Sequence, residues 1–401
     1  MRRMHISPPL AVTAVALIGA CGNQVAPPPF SATPLPVSSA MAFRSVSASV
    51  AHSCGITTGG SAYCWGWNRD GELGDSTRTD RAVPAPVVGG LQFGSVSAGG
   101  GHTCAVRAGG GAYCWGFNLS GQLGDSTTVA RTAPQPVFGG GTLVRLGAGG
   151  AYGCAIRADS SAACWGYGAA GQLGNGLRSD QLTPTAVASA AKFVALSAGT
   201  LHTCALAADS TVSCWGSNAF GELGDGTRSD TTRPTAVAGG LKFVAVTVGF
   251  QHSCGLTVSG AAHCWGDNEF GQLGDTTVAQ ASAPLAVSGG FTFTRLAAGG
   301  SHTCGITTTN VARCWGADGN GQLGSAPTNQ CVGASVSSPC SPLPQLVTGG
   351  YTLVEISAGA QHTCAVTPMQ QIYCWGLNGN GQLGTAALIG GVATGPRGVN
   401  P

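Results

Sequence analysis

The segment His202-Thr-Cys-Ala-Leu-Ala-Ala-Asp-Ser-Thr-Val-Ser-Cys-Trp-Gly-Ser-Asn-Ala-Phe-Gly-Glu-Leu-Gly224 decides the fold, because variants of it occur seven times along the chain. The first cysteines of the copies lie 50 residues apart, with 60 before the last: Cys54, Cys104, Cys154, Cys204, Cys254, Cys304 and Cys364. Each copy has a second cysteine ten residues later, followed by Trp-Gly: Cys64, Cys114, Cys164, Cys214, Cys264, Cys314 and Cys374. A period of this length is typical of propeller blades or of a solenoid.

Four short β-like runs separated by turn residues are visible within one copy. In the fourth copy they cover residues 184–187, 193–197, 203–206 and 212–215. Four such strands form one blade, and repeating the blade around an axis protects most sheet edges. The sequence therefore predicts an all-β fold, a seven-bladed propeller of four-stranded blades.

The spacing of the paired cysteines predicts one disulfide within each blade. Gly59 lies midway between Cys54 and Cys64, so a short loop centred there places the two cysteines opposite each other in a hairpin. A zinc site is the alternative, but the Cys-x9-Cys spacing lacks the close pairs of metal knuckles. A ten-residue insertion in the sixth copy contributes an eighth pair, Cys331 and Cys340. Of the 17 cysteines, Cys21 is then left without a partner.

The N-terminus predicts export. Arg2 and Arg3 precede an apolar run that is too short to span a bilayer and that ends in Ile18-Gly-Ala-Cys21, which resembles a lipobox. An ordinary signal peptide is the alternative. We therefore expect a signal peptide over residues 1–21 with lipidation at Cys21, and a linker over 22–33. The propeller is predicted over 34–384 and a C-terminal tail over 385–401. The predicted location is extracytoplasmic, as an outer-membrane-anchored lipoprotein or a secreted protein, which agrees with extensive disulfide bonding.

The closure of the ring is predicted to use the N-terminus. Pro34-Leu-Pro-Val37 precedes Cys54 by the same spacing as Pro84-Ala-Pro-Val87 precedes Cys104. No similar strand was recognised after Gly384. We therefore expect residues 34–37 to complete the last blade.

The repeat resembles that of the regulator of chromosome condensation family over roughly residues 34–384. The resemblance rests on Pro-x-x-Val, Val-x-Ala-Gly, His-Thr-Cys-Ala and Cys-Trp-Gly-x-Asn-x-x-Gly-Gln-Leu-Gly. In the fourth copy the matching positions are Gly199, His202, Thr203, Ala205, Leu206, Trp215, Gly216, Asn218, Gly221, Leu223 and Gly224. The resemblance implies seven blades. It also implies nucleotide exchange on a small GTPase. This function is less favoured here, because the chain has a predicted export leader and no basic tail. The third copy departs from the pattern at Tyr152-Gly153.

Composition and motifs argue against catalysis and nucleic-acid binding. Charged residues are 8% of the chain, and without Arg2 and Arg3 there are as many acidic as basic residues, which disfavours phosphate contacts. No nucleophile elbow, phosphate loop or zinc-protease motif is present. One histidine per copy in six copies indicates a structural hydrogen bond rather than a catalytic group: His52, His102, His202, His252, His302 and His362. We therefore expect a non-enzyme without a cofactor or a metal.

Aromatic residues on the loops of one face predict a binding surface. Strand direction places the segments before each His-Thr-Cys and after each Trp-Gly on the same face, together with the insertion. The aromatic residues assigned to it are Trp67, Phe117, Tyr152, Tyr167, Phe220, Phe250 and Phe270. Because they come from several copies, a protein partner is favoured over a single sugar pocket. A glycan-binding or hydrolytic propeller is the alternative. We expect a monomer that contacts membranes only through a lipid anchor.

Overall fold

The computed structural model describes residues 41–332, 337–386 and 390–399, and this part of the chain forms seven antiparallel sheets around one axis. Six sheets have four strands and the sixth along the chain has five, so the predicted seven-bladed propeller is confirmed. The first strands are Phe43–Ala48, Phe93–Ala98, Leu143–Ala148, Phe193–Ala198, Phe243–Val248, Phe293–Ala298 and Glu355–Ala358. The second strands are His52–Thr57, His102–Arg107, Tyr152–Arg157, His202–Ala207, His252–Thr257, His302–Thr307 and His362–Val366.

The outer half of each blade contains the Cys-Trp-Gly strand and a proline-containing strand. The third strands are Ala62–Gly66, Ala112–Gly116, Ala162–Gly166, Val212–Gly216, Ala262–Asp267, Ala312–Ala317 and Ile372–Leu377. The fourth strands are Arg81–Pro86, Arg131–Pro136, Gln181–Ala186, Thr231–Ala236, Gln280–Ala286, Ser337–Leu346 and Val392–Gly398. Proline is tolerated in the fourth strands because they form a sheet edge. The insertion adds the strand Asn329–Val332 to the sixth blade, and a 3-10 turn covers Ala238–Gly240.

The first strands contact one another in a closed ring and line the central channel. The second and third strands are buried on both sides, which explains their small and apolar residues. Within these strands the paired cysteines lie opposite each other, as Cys54 and Cys64 do. The Cα atoms of the two cysteines paired within a blade are 4.0–4.1 Å apart. The predicted disulfide in every blade is confirmed, and so is the Cys331–Cys340 bridge. Cys21 lies outside the described residues.

The repeated tryptophans pack between neighbouring blades. All seven are fully buried, and the indole Nε1 of Trp115 donates to the backbone oxygen of Glu72 in the preceding blade at 2.9 Å. Gly74 of that blade lies against the ring, where a Cβ would be 2.7 Å from the indole nitrogen, and its φ of +66° also favours glycine. The Trp-Gly and Gly-x-Leu-Gly motifs are therefore two halves of one interface between blades.

The predicted closure by the N-terminus is wrong. The fourth strand of the last blade is Val392–Gly398, which pairs with the third strand so that Arg397 faces Cys374, as Ala85 faces Cys64 in the first blade. Pro396-Arg-Gly-Val399 supplies the Pro-x-x-Val pattern, so part of the predicted tail belongs to the propeller. Residues 34–37 lie outside the described residues, as do the predicted signal peptide and linker.

The ring closes instead through contacts between two complete blades. The amide of Ala48 donates to the Ser357 hydroxyl at 2.9 Å, and the Trp65 indole donates to the backbone oxygen of Gln382. These contacts repeat those found between the other blades. Across the described ranges, no helix is long and apolar enough to cross a membrane.

Candidate functional site

The propeller has two faces, which are defined by the direction of the strands. The first face carries the turns between first and second strands, such as residues 49–51, and the long loops after the third strands, such as 67–80. The second face carries the hairpin tips, such as 58–61, and the connections to the next blade, such as 87–92. The predicted binding residues belong to segments of the first face.

The long loops of the first face are held by their own side chains. The Asn68 amide nitrogen donates to the backbone oxygen of Thr79 and to the Asp75 carboxylate, while its oxygen accepts the Leu73 amide. Arg81 forms an ion pair with Asp75 at 2.8 Å, and hydrogen bonds from Thr77 and Arg81 lower the pKa of Asp75 although burial opposes this. Similar networks surround Asn118 and Asn218. These loops therefore present a preorganised surface.

A buried glutamine or glutamate fixes each of these loops. The Glu222 carboxylate accepts the Phe220 amide at 2.8 Å, just as Gln272 accepts that of Phe270 in the next blade. Burial raises the pKa of Glu72 to about 7 and also raises that of Glu222. Because glutamine occupies this place in the other five blades, the two carboxyl groups serve the loop rather than a reaction.

The repeated histidines link neighbouring blades in a hydrogen-bonded ring. The Thr103 hydroxyl donates to the backbone oxygen of Glu72, so it accepts the proton on Nε2 of His52, 2.8 Å away. The same bond joins His202 to Ser253, His252 to Thr303, His302 to Thr363 and His362 to Ser53. Burial lowers the pKa of His52, His202, His252 and His302 to about 3 and that of His102 and His362 to about 4. The imidazoles are therefore neutral and structural, as predicted.

The third copy interrupts this ring. Gly153 stands where His102 would need a hydroxyl, so His102 lacks the side-chain hydrogen bond of the other histidines, and only the backbone of Tyr152 lies near as a polar group. Tyr152 occupies the histidine place and is fully buried, with its hydroxyl 2.6 Å from the backbone oxygen of His202 and 2.9 Å from Thr203 Oγ1. The prediction of Tyr152 as a partner-binding residue is therefore wrong, because its ring replaces a buried imidazole.

This difference predicts unequal effects for one substitution at two equivalent places. His302→Phe should lower the free energy of unfolding by about 1–3 kcal/mol, because it removes a buried hydrogen bond to Thr363. His102→Phe should lower it by less, about 0.5 kcal/mol, since no side-chain hydrogen bond is lost and an aromatic ring is accepted at Tyr152. Denaturant unfolding at neutral pH measures both values. Equal losses would show that packing, not the hydrogen bond, determines the effect.

The centre of the first face is an apolar depression. The channel mouth forms a cavity of about 440 Å³ lined by the Ala-Gly turns of the blades, with Val50, Thr200 and Phe250 at its rim. A groove of about 270 Å³ between the fourth and fifth blades continues from it, and Thr200 and Phe250 line both. Leu201 and Phe220 line the groove. The two depressions therefore form one apolar surface.

The remaining predicted aromatic residues lie on the first face but are mostly half-buried. Phe250 is 39% exposed, and the half-buried ones are Trp67, Phe117, Tyr167, Phe220 and Phe270. The guanidinium of Arg69 lies 4.7 Å from the Trp67 ring centre, and Phe117 packs beside the turn at Gly101. The structure thus brings Phe220 and Phe250 together at the groove and distributes the others around the face.

Aliphatic residues that the sequence interpretation did not select are more exposed than the aromatic ones. Leu119 and Val129 in the second blade are 70% and 57% exposed, and Leu177 in the third is 52% exposed. The residue type at their positions in the repeat differs between copies, and this variation is the sequence signal that could have identified them. In the insertion, Sγ of Cys331 lies 3.6 Å from the Phe270 backbone oxygen, so this loop contacts the fifth blade. Among the described residues, no group of three or more potential ligands is placed to hold a metal.

Comparisons with known proteins agree with the architecture. One model of the regulator of chromosome condensation (RCC1) repeat matches more than half of the chain, at residues 59–106, 164–206, 209–256, 259–306 and 314–366. A second model of this repeat matches residues 43–72, 95–122, 193–222, 243–272, 293–322 and 353–382. None of the curated proteins matches the sequence.

Solved structures share the fold at low sequence identity. Yeast RCC1 (Prp20), solved bound to Kap60, is 20% identical over 95% of this chain and 91% of its own, with a TM-score of 0.75. Prp20p from Saccharomyces cerevisiae, described with its binding to Gsp1p and histones, is 21% identical over 90% and 88%, with a TM-score of 0.75. Human WBSCR16 is 20% identical over 85% and 94%, with a TM-score of 0.74.

Proposed function

The chain belongs to the regulator of chromosome condensation (RCC1) repeat family, and from that premise we propose that it is a protein-binding propeller that works outside the cytoplasm. The observation that carries the proposal is the apolar depression at the centre of the first face. Aromatic and aliphatic side chains that rim such a depression are typical anchors of protein interfaces. Yeast Prp20 of the same fold has been described with protein partners.

Two further features support this proposal. Eight disulfides among sixteen cysteines fit an oxidising compartment, because cytosolic thiols are kept reduced. Both ends of the described chain lie at the second face, since the first strand starts there at Phe43 and the last strand ends there at Gly398. Lipidation at Cys21 remains a prediction of the sequence.

The proposed role is binding rather than catalysis. The six repeated histidines are buried and neutral, so they do not offer acid or base groups at the surface. Glu222 at the groove is 2% exposed and holds the Phe220 amide. A glycan ligand at the same depression remains an alternative outcome of the experiment below.

Affinity capture with matched variants tests the proposal. The full chain is used as bait in an extracytoplasmic extract beside Phe220→Ala/Phe250→Ala on the first face and Val194→Ala/Val244→Ala on the second. Truncating two interface anchors at about 2 kcal/mol each should weaken capture by well over tenfold, whereas the second-face variant should capture as the wild type does.

Two results would contradict the proposal. Equal capture by all three proteins would show that the depression does not bind the partner. Binding to a glycan array that is lost only in the first-face variant would favour a lectin.

A further inference from the structure

The charged residues are segregated between the two faces, although the chain is nearly neutral as a whole. Thirteen of its 16 acidic residues lie on the first face; those on the second are Asp159, Asp209 and Glu355. Of the 18 basic residues, all but Arg2 and Arg3 are described, and nine lie on the second face: Arg44, Arg107, Arg145, Arg157, Lys192, Lys242, Arg295, Arg313 and Arg397. The first-face basic residues are Arg69, Arg78, Arg81, Arg131, Arg178, Arg228 and Arg233. The second face thus has a formal charge of +6 and the first face −6.

The exposed basic groups of the second face surround the channel opening. Arg44, Arg145 and Arg295 are exposed near the starts of first strands, and Glu355 beside them is half-buried. Lys192 and Lys242 lie further out, where each donates to the backbone oxygen of an aspartate, Asp159 or Asp209. The residues at the opening thus contribute +2 to the excess charge of the face, the two lysines are balanced by the two aspartates, and arginines on the other strands contribute +4.

Exposed apolar side chains alternate with these charges. Val144, Val194, Val244 and Val354 are exposed at equivalent places around the opening. Two hairpin tips extend the apolar surface, with Val258 73% and Met369 83% exposed. A face that combines cationic and aliphatic groups fits the interface of a lipid bilayer.

One site on this face is suited to a phosphate group. A cavity of about 560 Å³ that extends over the second, third and fourth blades is lined by Arg107 and Arg145, together with Val144, Leu146 and Leu196. Within the described part of the chain neither guanidinium has a hydrogen-bond or ion-pair partner. Arginine binds phosphate through paired N–H donors, and the apolar lining would face the glycerol and acyl region.

We propose that the second face is a docking surface for an anionic lipid bilayer. Nucleic acid would gain nothing from the exposed valines and methionine, whereas a bilayer interface accommodates both kinds of group. The proposal does not depend on lipidation at Cys21. Docking in this way would direct the first face away from the membrane and towards the medium.

Vesicle sedimentation with matched charge variants tests this proposal. The full chain with Cys21→Ser, which cannot be lipidated, is mixed with phosphatidylcholine vesicles or with vesicles that also contain phosphatidylglycerol. We expect binding only to the anionic vesicles, and weaker binding at high salt. Arg107→Glu/Arg145→Glu should lower the partition coefficient by about 25-fold or more, at roughly fivefold for each basic group removed.

The control variant carries the same change in net charge as Arg107→Glu/Arg145→Glu, but on the first face. Arg78→Glu/Arg178→Glu alters two exposed first-face residues and should bind vesicles as the parent does. Lys192→Gln/Lys242→Gln, which reverses no charge, provides a milder second-face variant in case the first does not fold, and it should bind more weakly than the control. Equal binding to neutral vesicles, equal losses in both charge variants, or binding of a DNA oligonucleotide without vesicle binding would each overturn the proposal.

Discussion

The reduced chain is expected not to refold in native buffer. Each blade disulfide closes a loop of eleven residues, and closing such a loop stabilises the native state by about 2–3 kcal/mol in the chain-entropy model. The seven loops do not overlap in sequence, so their effects add to about 14–21 kcal/mol. This exceeds the roughly 5–15 kcal/mol by which ordinary domains are stable.

Refolding after complete reduction measures this effect. The chain is reduced in denaturant and returned to native buffer with reductant, because the blade bridges are fully buried. Fluorescence of the seven buried tryptophans should remain that of solvent-exposed indoles, and no cooperative unfolding transition should follow. A reduced chain that regained both signals would show that packing between blades suffices.

The insertion supplies the matched control. Cys331–Cys340 joins the added strand of the insertion to the fourth strand, at the edge of the sixth blade. Cys331→Ala/Cys340→Ala should therefore leave the tryptophan signal native and change the unfolding free energy far less than Cys204→Ala/Cys214→Ala does.

Much of the fold could be predicted because the repeat specifies it at several levels. The cysteine spacing determines the register of each hairpin, and the Trp-Gly and Gly-x-Leu-Gly motifs determine how blades pack. Closure was not predictable in the same way. Pro396-Arg-Gly-Val399 has the pattern of a fourth strand, but its distance from Cys374 differs from that in most copies, whereas Pro34–Val37 has the regular spacing.

The candidate site was predicted only as a face. Strand direction decides which end of a blade a loop occupies, but not whether a side chain points inward. Tyr152 shows this, because its place in the repeat is that of a buried histidine and its ring occupies the same space. The Phe250 and Phe220 groove depends on how two blades meet, and the charge segregation appears only when residues from all blades are assigned to faces.

Acidification below about pH 4.5 is expected to unfold the propeller over a narrow pH range. The six buried imidazoles have pKa values of about 3–4 when folded, but an unfolded chain protonates them at the ordinary value of 6.5. Below pH 6.5 the unfolded state therefore binds more protons, and stability falls with pH. Six such groups lower the unfolding free energy by up to about 8 kcal/mol per pH unit.

Buried carboxyl groups oppose this loss at milder acidity. Burial raises the pKa of Glu72 and Glu355 to about 7 and that of Asp318 to about 6, and it also raises the pKa of Glu222 and Asp267. The folded state takes up these protons before the unfolded state does, so the carboxyl contribution increases as pH falls and is complete below the ordinary values of 4.5 for glutamate and 3.8 for aspartate. Stability should therefore fall less between pH 7 and 4.5 than the histidines alone would require, and more steeply below that range.

The slope of that fall identifies the histidines as its cause. Denaturant unfolding at several pH values gives the number of protons taken up on unfolding, which should be positive below pH 4.5 because four of the imidazoles, with pKa values of about 3, stay neutral in the folded state there. His102→Phe removes one titrating group without removing a side-chain hydrogen bond, so it should lower this number, by less than one, at little cost to stability at neutral pH. Tyr152→Phe, which alters the same ring of contacts but no group that titrates in this range, should keep the parent's slope. Persistence of the native signal to pH 3 would mean that the folded state accepts charged imidazoles. The buried histidines that link neighbouring blades could not then be the acid-sensitive element of the fold.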